Sequence, residues 1–182
     1  MMGGEASVLG LIQEIHKIKA RDQESLRNAI RDVLGIKLQY IQEDEFDTGR
    51  RNLLNFGHCL GHALESTTNF AIPHGQAVLI GIIFANIVSR NRRLLSSRRN
   101  DFLNQELLLN SIHVNRAALT FSVKGIFEAM KMDKKRVADG LALIMMHDDF
   151  SMMKIQDLQQ DELLASVKEL GKVLDIPVNV ER

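Results

Sequence analysis

Three of the six histidines in this 182-residue chain fall between Arg51 and Ala77. His58 and His62 stand four apart in RNLLNFGHCLGHALEST, a stretch with helical patterning. A four-residue step on a helix stacks side chains on one face, with Cβ atoms about 5–6 Å apart, so two imidazoles can converge on one ion. His74 follows a short connection, between Pro73 and Gly75, where a second helix should begin. A lone histidine on an apolar helix face is ordinarily a hydrogen-bonded core residue. Two at helical spacing and a third at a helix start can meet in space, and neutral imidazole suits zinc, cobalt, nickel or iron better than magnesium or calcium. The spacing marks a metal site or a core histidine cluster and goes no further.

The elements that must position these residues are mostly helical. Val8 to Ile18 predicts a first amphipathic helix. Asp22 caps a second, running to about Gln42, with Leu26, Ile30, Val33, Leu34, Leu38 and Ile41 on one stripe. Asp44 to Gly49 reads as an acidic turn, and Arg50 to Thr67 as the helix that carries the histidine pair. Asn69 to Pro73 turns the chain into an apolar helix from His74 to about Arg93, whose lack of a polar face implies burial on nearly all sides. Further helices fit Ser97 to Asn110 and Ser122 to Met132. The period then changes: Leu141 to Met146 and Ser151 to Ile155 flank His147-Asp148-Asp149 as a β-hairpin with an acidic turn. Asp157 opens the last helix, to about Leu174, ahead of Pro177. The expected fold class is mainly α, a single multi-helix domain over residues 1–182 with one small β-hairpin.

Composition narrows the function classes. An apolar content of 45% can build a real core, and a net charge of zero gives no reason to expect nucleic acid or a membrane surface as partner. The basic run from Arg90 to Arg99 has no interleaved aromatics and reads as a solvated helix end with a loop. Cys59 is the only cysteine, so no internal disulfide can form, which fits a reducing cytoplasm; a small buried residue beside the site is its expected role. The longest apolar run, Ala77 to Val88, is interrupted by Gly81 and Asn86 and is too short to span a bilayer. Glycine-rich phosphate loops after a strand are absent, so no dinucleotide-binding fold is expected within the chain.

Arg51, Asn55, Gly57, His58, Gly61, His62 and Glu65 stand in the pattern R-x-x-L-N-x-G-H-x-x-G-H-x-x-E, and His74, Gly75, Ala77 and Val78 follow as H-G-x-A-V. This resembles the signature of the 3-dehydroquinate synthase family of sugar-phosphate cyclases, which includes cyclases making 2-deoxy-scyllo-inosose and valiolone-type cyclitols. The likeness extends upstream through Lys37, Asp44, Glu45 and Gly49 and reappears at Asp133, Lys134 and Lys135, covering roughly residues 25 to 170. Family members pair an N-terminal NAD-binding α/β domain with an α-helical metal- and substrate-binding domain, and the chain matches only the second. The resemblance implies a carbon–oxygen lyase, acting in the full-length protein on a phosphorylated sugar, as in aromatic amino acid biosynthesis. It further implies a divalent metal, zinc or cobalt, with NAD supplied only through the N-terminal domain, and a homodimer.

Carried over by position, the resemblance makes His58 and His74 metal ligands and lets His62 contact substrate. Arg51 then offers a planar fork for phosphate or carboxylate, Lys37 and Lys135 offer point charges, and Asn55 addresses hydroxyls. Glu65 either holds a histidine in orientation or touches substrate. The family's third ligand, a Glu in a G-x-x-E-x-x-K segment, has Gly3-Gly4-Glu5 as its nearest candidate here, with Val8 where the Lys should stand. Two histidines alone would hold a metal weakly, with water in the other positions.

Two departures stand out: Gln76 replaces the Glu of H-G-E-A-V, and Cys59 replaces a Thr. Both suggest a divergent relative from a specialised cyclitol or sugar pathway. The alternatives are a catalytically inactive helical domain kept for oligomerisation or protein contacts and, ranked lower, a fragment of an iron-containing alcohol or glycerol-1-phosphate dehydrogenase, whose motifs lack Arg-x-x-x-Asn before the histidine pair.

Overall fold

The structure is a computed structural model describing residues 3–46, 49–132 and 140–180. Helices α1 (Gly4–Lys19) and α2 (Gln23–Glu43) form a hairpin, and Asp22 caps α2 as its sequence position predicts, accepting from the Ser25 amide at 2.9 Å. A 3-10 segment follows over Arg50–Asn55, then α3 (His58–Thr67) and α4 (His74–Asn91). Next comes α5 (Ser97–Leu103), continued by a π-helical turn over Asn104–Leu108 and a 3-10 turn to Ser111. After the short strand β1 (Phe121–Ser122) come α6 (Val123–Met132), the antiparallel hairpin β2 (Leu141–Met146) and β3 (Met152–Leu158), α7 (Gln160–Leu174) and β4 (Val178–Asn179). The mainly α class with one small hairpin holds. Not foreseen is a two-residue parallel pairing of β1 with β4, too short to leave an alternating pattern in sequence.

Helix α4 is the central strut. Ile80, Ile83, Phe84, Ile87 and Val88 are all buried, and α3, α7 and β2 pack around it. The expected burial on nearly all sides follows from its apolar sequence. The remaining boundaries shift for local reasons. The last helix begins at Gln160, because β3 runs on to Leu158 and pairs it with Leu141.

The single helix expected over Arg50 to Thr67 is two pieces. Phe56 is extended and Gly57 takes a left-handed φ of +80°, so the 3-10 turn ends and α3 begins afresh at His58. Tertiary packing imposes that break. A Cβ on Gly81 would lie 1.9 Å from the Gly57 carbonyl oxygen, and one on Gly57 would lie 2.6 Å from the Val78 carbonyl oxygen. Only two glycines let α3 start against the flank of α4 this closely.

Two further features are decided by packing. The stripe on α2 is not a core face: Ile30, Val33, Leu34 and Leu38 are each more than half exposed, and the buried residues of the helix are Ser25 and Tyr40. The basic run is not merely solvated. Arg92 forks onto Glu162 (2.7 and 2.6 Å) and reaches Asp157 at 2.8 Å, Arg90 pairs with Glu169, and Arg99 binds Glu5 at 2.6 Å while lying over the Phe150 ring. Glu162 and, after it, Asp157 raise the Arg92 pKa above its ordinary value, and these pairs hold the segment to α7 and β3 by charge. No helix among the described residues is long and apolar enough to cross a membrane.

The glycine crossing is testable by thermal unfolding. Gly81→Ala should lower stability by at least about 1–3 kcal/mol, the range for overpacking, which is about 2–4 °C of melting temperature per kcal/mol at this size. Gly35→Ala, on an open helix surface, should gain about 0.5–1 kcal/mol. A Gly81→Ala melt matching the wild type would contradict the close approach.

Candidate metal and substrate site

His58, His62 and Glu65 occupy positions i, i+4 and i+7 of α3, one helical stripe. His74, first residue of α4, reaches the same stripe from the neighbouring helix. The three imidazoles form a triangle with centroid separations of 5.6 Å (His58–His62), 5.4 Å (His58–His74) and 5.8 Å (His62–His74). The convergence expected from spacing is therefore realised across two helices.

Proximity alone would group His62, Glu65 and His74, whose ligating atoms all lie within 4.8 Å of one another. Ligand atoms around a tetrahedral zinc, with bonds of about 2.0–2.1 Å, sit only about 3.3 Å apart, so proximity does not settle the set. At two of the rings the hydrogen bonding suits a ligand. His58 Nδ1 faces the Phe56 carbonyl at 3.3 Å, and His74 Nδ1 faces both Glu65 oxygens at 3.2 Å. Each is the pattern of a metal-binding histidine, in which one ring nitrogen donates to an outer acceptor and the other is left to coordinate. Burial lowers the His58 pKa below its ordinary value, against the opposing bond to Phe56, and so favours the neutral, ligating form. His58 also begins α3, where the positive end of the helix dipole acts in the same direction. The residues present fit a divalent ion that accepts imidazole nitrogen.

Beside the triangle lies a cavity of about 800 Å³ between α1, α2, the 3-10 segment, α4 and the π-helical turn. Lys37, Arg51, Asn55 and His58 all line it. Four residues separated by up to 21 positions in sequence thus line one cavity, together with aliphatic residues such as Leu11, Ile15 and Leu108. Lys37 belongs to an exposed part of α2 yet borders the cavity. Asp44 sets the approach of Arg51: one carboxylate oxygen accepts from the amides of Gly49 (2.8 Å) and Arg51 (3.0 Å), fixing the turn, while Arg51 Nη1 donates to the Glu45 carbonyl at 2.7 Å. His62 and His74 adjoin the cavity through His58 rather than lining it. Asp47, Asp133, Lys134 and Lys135 lie outside the described residues. Glu5, the nearest candidate for a carboxylate ligand, is engaged with Arg99 instead.

One role was not readable from the pattern. Gln76 does not face the metal chemistry: its Nε2 donates to the Ser111 carbonyl at 3.1 Å and its Oε1 accepts from the His113 amide at 2.6 Å. That clamp needs a donor and an acceptor on one side chain, which an amide has and a carboxylate lacks. The departure from H-G-E-A-V is accounted for by the loop it ties down. Cys59 is buried, the expected role. Of the two alternatives for Glu65, the contact found is with a histidine, His74 on the neighbouring helix.

The family model for the 3-dehydroquinate synthase C-terminal domain matches residues 1–136. A 3-dehydroquinate synthase of Alkaliphilus oremlandii is 30% identical over 168 residues, covering 92% of this chain and 46% of that protein. One from Dehalococcoides mccartyi is 40% identical over 123 residues, covering 68% of this chain and 33% of its own length. The chain thus spans less than half the length of these curated relatives. Among solved structures, 2-epi-5-epi-valiolone synthase from Streptomyces hygroscopicus, with NAD+ and Zn2+ bound, superposes with a TM-score of 0.78 at 16% identity over 92% of this chain and 46% of that one. A 2-deoxy-scyllo-inosose synthase complexed with carbaglucose-6-phosphate, NAD+ and Co2+ gives 0.64 at 19% identity, over 80% and 41%. At these identities the structural likeness speaks for the fold.

The Gln76 clamp predicts that Gln76→Glu, which sets a carboxylate against the Ser111 carbonyl, costs about 1–3 kcal/mol. Denaturant unfolding should register that loss at neutral pH, with Gln76→Met no worse than Gln76→Glu. An unchanged midpoint for Gln76→Glu would remove the clamp.

Proposed function

This chain belongs to the 3-dehydroquinate synthase C-terminal family, and from that premise we propose that it is the metal- and substrate-binding half of a cyclase that converts a sugar phosphate to a carbocycle with elimination of phosphate. The observation that carries the reading is the meeting of His58, His62 and His74 at one edge of the cavity that Lys37, Arg51 and Asn55 border. His58 and His74 would hold the divalent ion, zinc or cobalt, with a third ligand from outside the described residues. A bound ion would polarise a substrate oxygen and lower its pKa.

The chain's own residues do the rest. Arg51 and Lys37 draw the phosphate to the opening and hold it as it leaves, the first through a fork and the second as a point charge. Asn55 pairs with a hydroxyl as donor or acceptor, and Lys135 adds a further cation. His62, exposed beside the other two rings, contacts substrate and can accept or return a hydroxyl proton. Reversible oxidation would depend on NAD bound by an N-terminal domain outside this chain, in a homodimeric full-length enzyme. One conformer of a flexible substrate is then presented to successive steps, which is where positioning contributes most.

A second reading, a domain kept for protein contacts, has one observation in its favour: the exposed apolar stripe Ile30, Val33, Leu34 and Leu38 on α2. It leaves the gathered polar residues without a task.

The test is phosphate release from a sugar phosphate by this chain joined to an NAD-binding half. Arg51→Ala should lower turnover at least about 10-fold, the loss of one charge-assisted bond, and His58→Ala should lower both metal content and turnover. No phosphate release, with metal content indifferent to His58→Ala, would favour the contact-domain reading.

A further inference from the structure

We propose that Glu65 is the positioning residue of the site: its carboxylate accepts the Nδ1 proton of His74 and thereby fixes this ring as the tautomer whose Nε2 is free to coordinate. The inference rests on the metal-site reading above and adds a residue to it. Glu65 is in the wrong surroundings for a solvated acid. Its side chain is only 14% exposed, on a helix whose other face is core, while the His74 side chain it meets is 55% exposed. A largely buried carboxylate needs donors, and both of its oxygens lie 3.2 Å from His74 Nδ1.

The need for such a partner follows from the exposure of His74. A ring with water on one side can carry its proton on either nitrogen and can turn about its side-chain bonds, so half of its states present the wrong atom to an ion. A fixed acceptor behind Nδ1 removes both freedoms. His58 has the matching device in the Phe56 carbonyl, 3.3 Å from its own Nδ1 and two residues away along the same chain. His74 begins a helix after Pro73, so its acceptor has to come from another element. The stripe on α3 that carries His58 and His62 supplies it one turn on. Glu65 as a direct ligand with His62 and His74 is the competing arrangement, and in it Glu65 and His62 would matter equally for binding the ion.

Long-range 1H–15N correlation spectra of the metal-free chain at mildly alkaline pH report the tautomer of each histidine directly. His74 should be the Nδ1–H form in the wild type, lose that preference in Glu65→Ala, and recover most of it in Glu65→Gln, whose amide oxygen still accepts. Visible-absorption titration with Co2+ should show about 10–100-fold weaker binding for Glu65→Ala, with Glu65→Gln recovering most of the affinity. An Nε2–H form of His74 in the wild type, or a tautomer unmoved by Glu65→Ala in a protein that melts normally, would overturn the proposal. So would a Co2+ affinity that Glu65→Gln fails to rescue and that His62→Ala lowers as much as Glu65→Ala does. Failure of the wild type to bind Co2+ at all would count against the metal site itself, and the tautomer result would still decide the part played by Glu65.

Discussion

The approach of Gly57 to Gly81 sets the geometry on which the site depends. Helices that pack through side chains keep their axes about 8–10 Å apart; here a backbone carbonyl sits where a Cβ would stand, and Gly61 and Ala77 continue the small-residue contact one turn further along. Because the chain must turn through a left-handed glycine to make this contact, α3 starts at His58 and not earlier. Because α4 starts at His74, the two expected ligands are both first residues of helices. Their rings therefore share an edge of the fold and are separated by a distance that backbone packing controls.

Seen from this contact, the legible and illegible parts of the sequence divide by range. The His58–His62 pair was readable because a four-residue step has one meaning on a helix, and the burial of α4 was readable because its sequence has no polar face. The hairpin around His147-Asp148-Asp149 was readable for the same local reason, a change of period at a turn. The break at Gly57 was not, because its cause is the contact with Gly81, more than twenty residues downstream. The same holds for Gln76, whose partners lie in the loop at Ser111 and His113, and for the acidic residues that take up the arginines of the basic run. Family resemblance brought Lys37, Arg51 and Asn55 together on paper; the cavity they border depends on the α1–α2 hairpin, whose packing no local pattern announces.

The stripe on α2 shows what periodicity does not report. Its apolar residues recur at helical spacing, which normally marks the face turned to the core, and the periodicity itself is real. Yet the burial in α2 comes from Ser25 and Tyr40, and Arg50 packs over the Tyr40 ring while pairing with Glu43. Periodicity reports that a face is apolar, not which body covers it. For a chain spanning less than half the length of its relatives, the distinction matters, since a surface shaped for another part of a longer polypeptide is written in the same alphabet as a core.

The same reasoning bears on the incomplete ligand set. Under the proposed function, two imidazoles with acceptors at Nδ1, with Glu5 engaged by Arg99 and Gln76 by its loop, would make a site pre-organised in geometry that takes a further donor from elsewhere. Pre-organisation would then keep the ordering cost of binding low, while the outstanding donor would keep the affinity of this half low as well. An ion completed by a ligand from elsewhere would add its binding free energy to the joining of the two bodies, because it binds the joined state better than either part. Under the proposed function, metal affinity and domain closure become one equilibrium: the acceptors behind His58 and His74 determine how the ion is presented, and the outside ligand determines whether it stays.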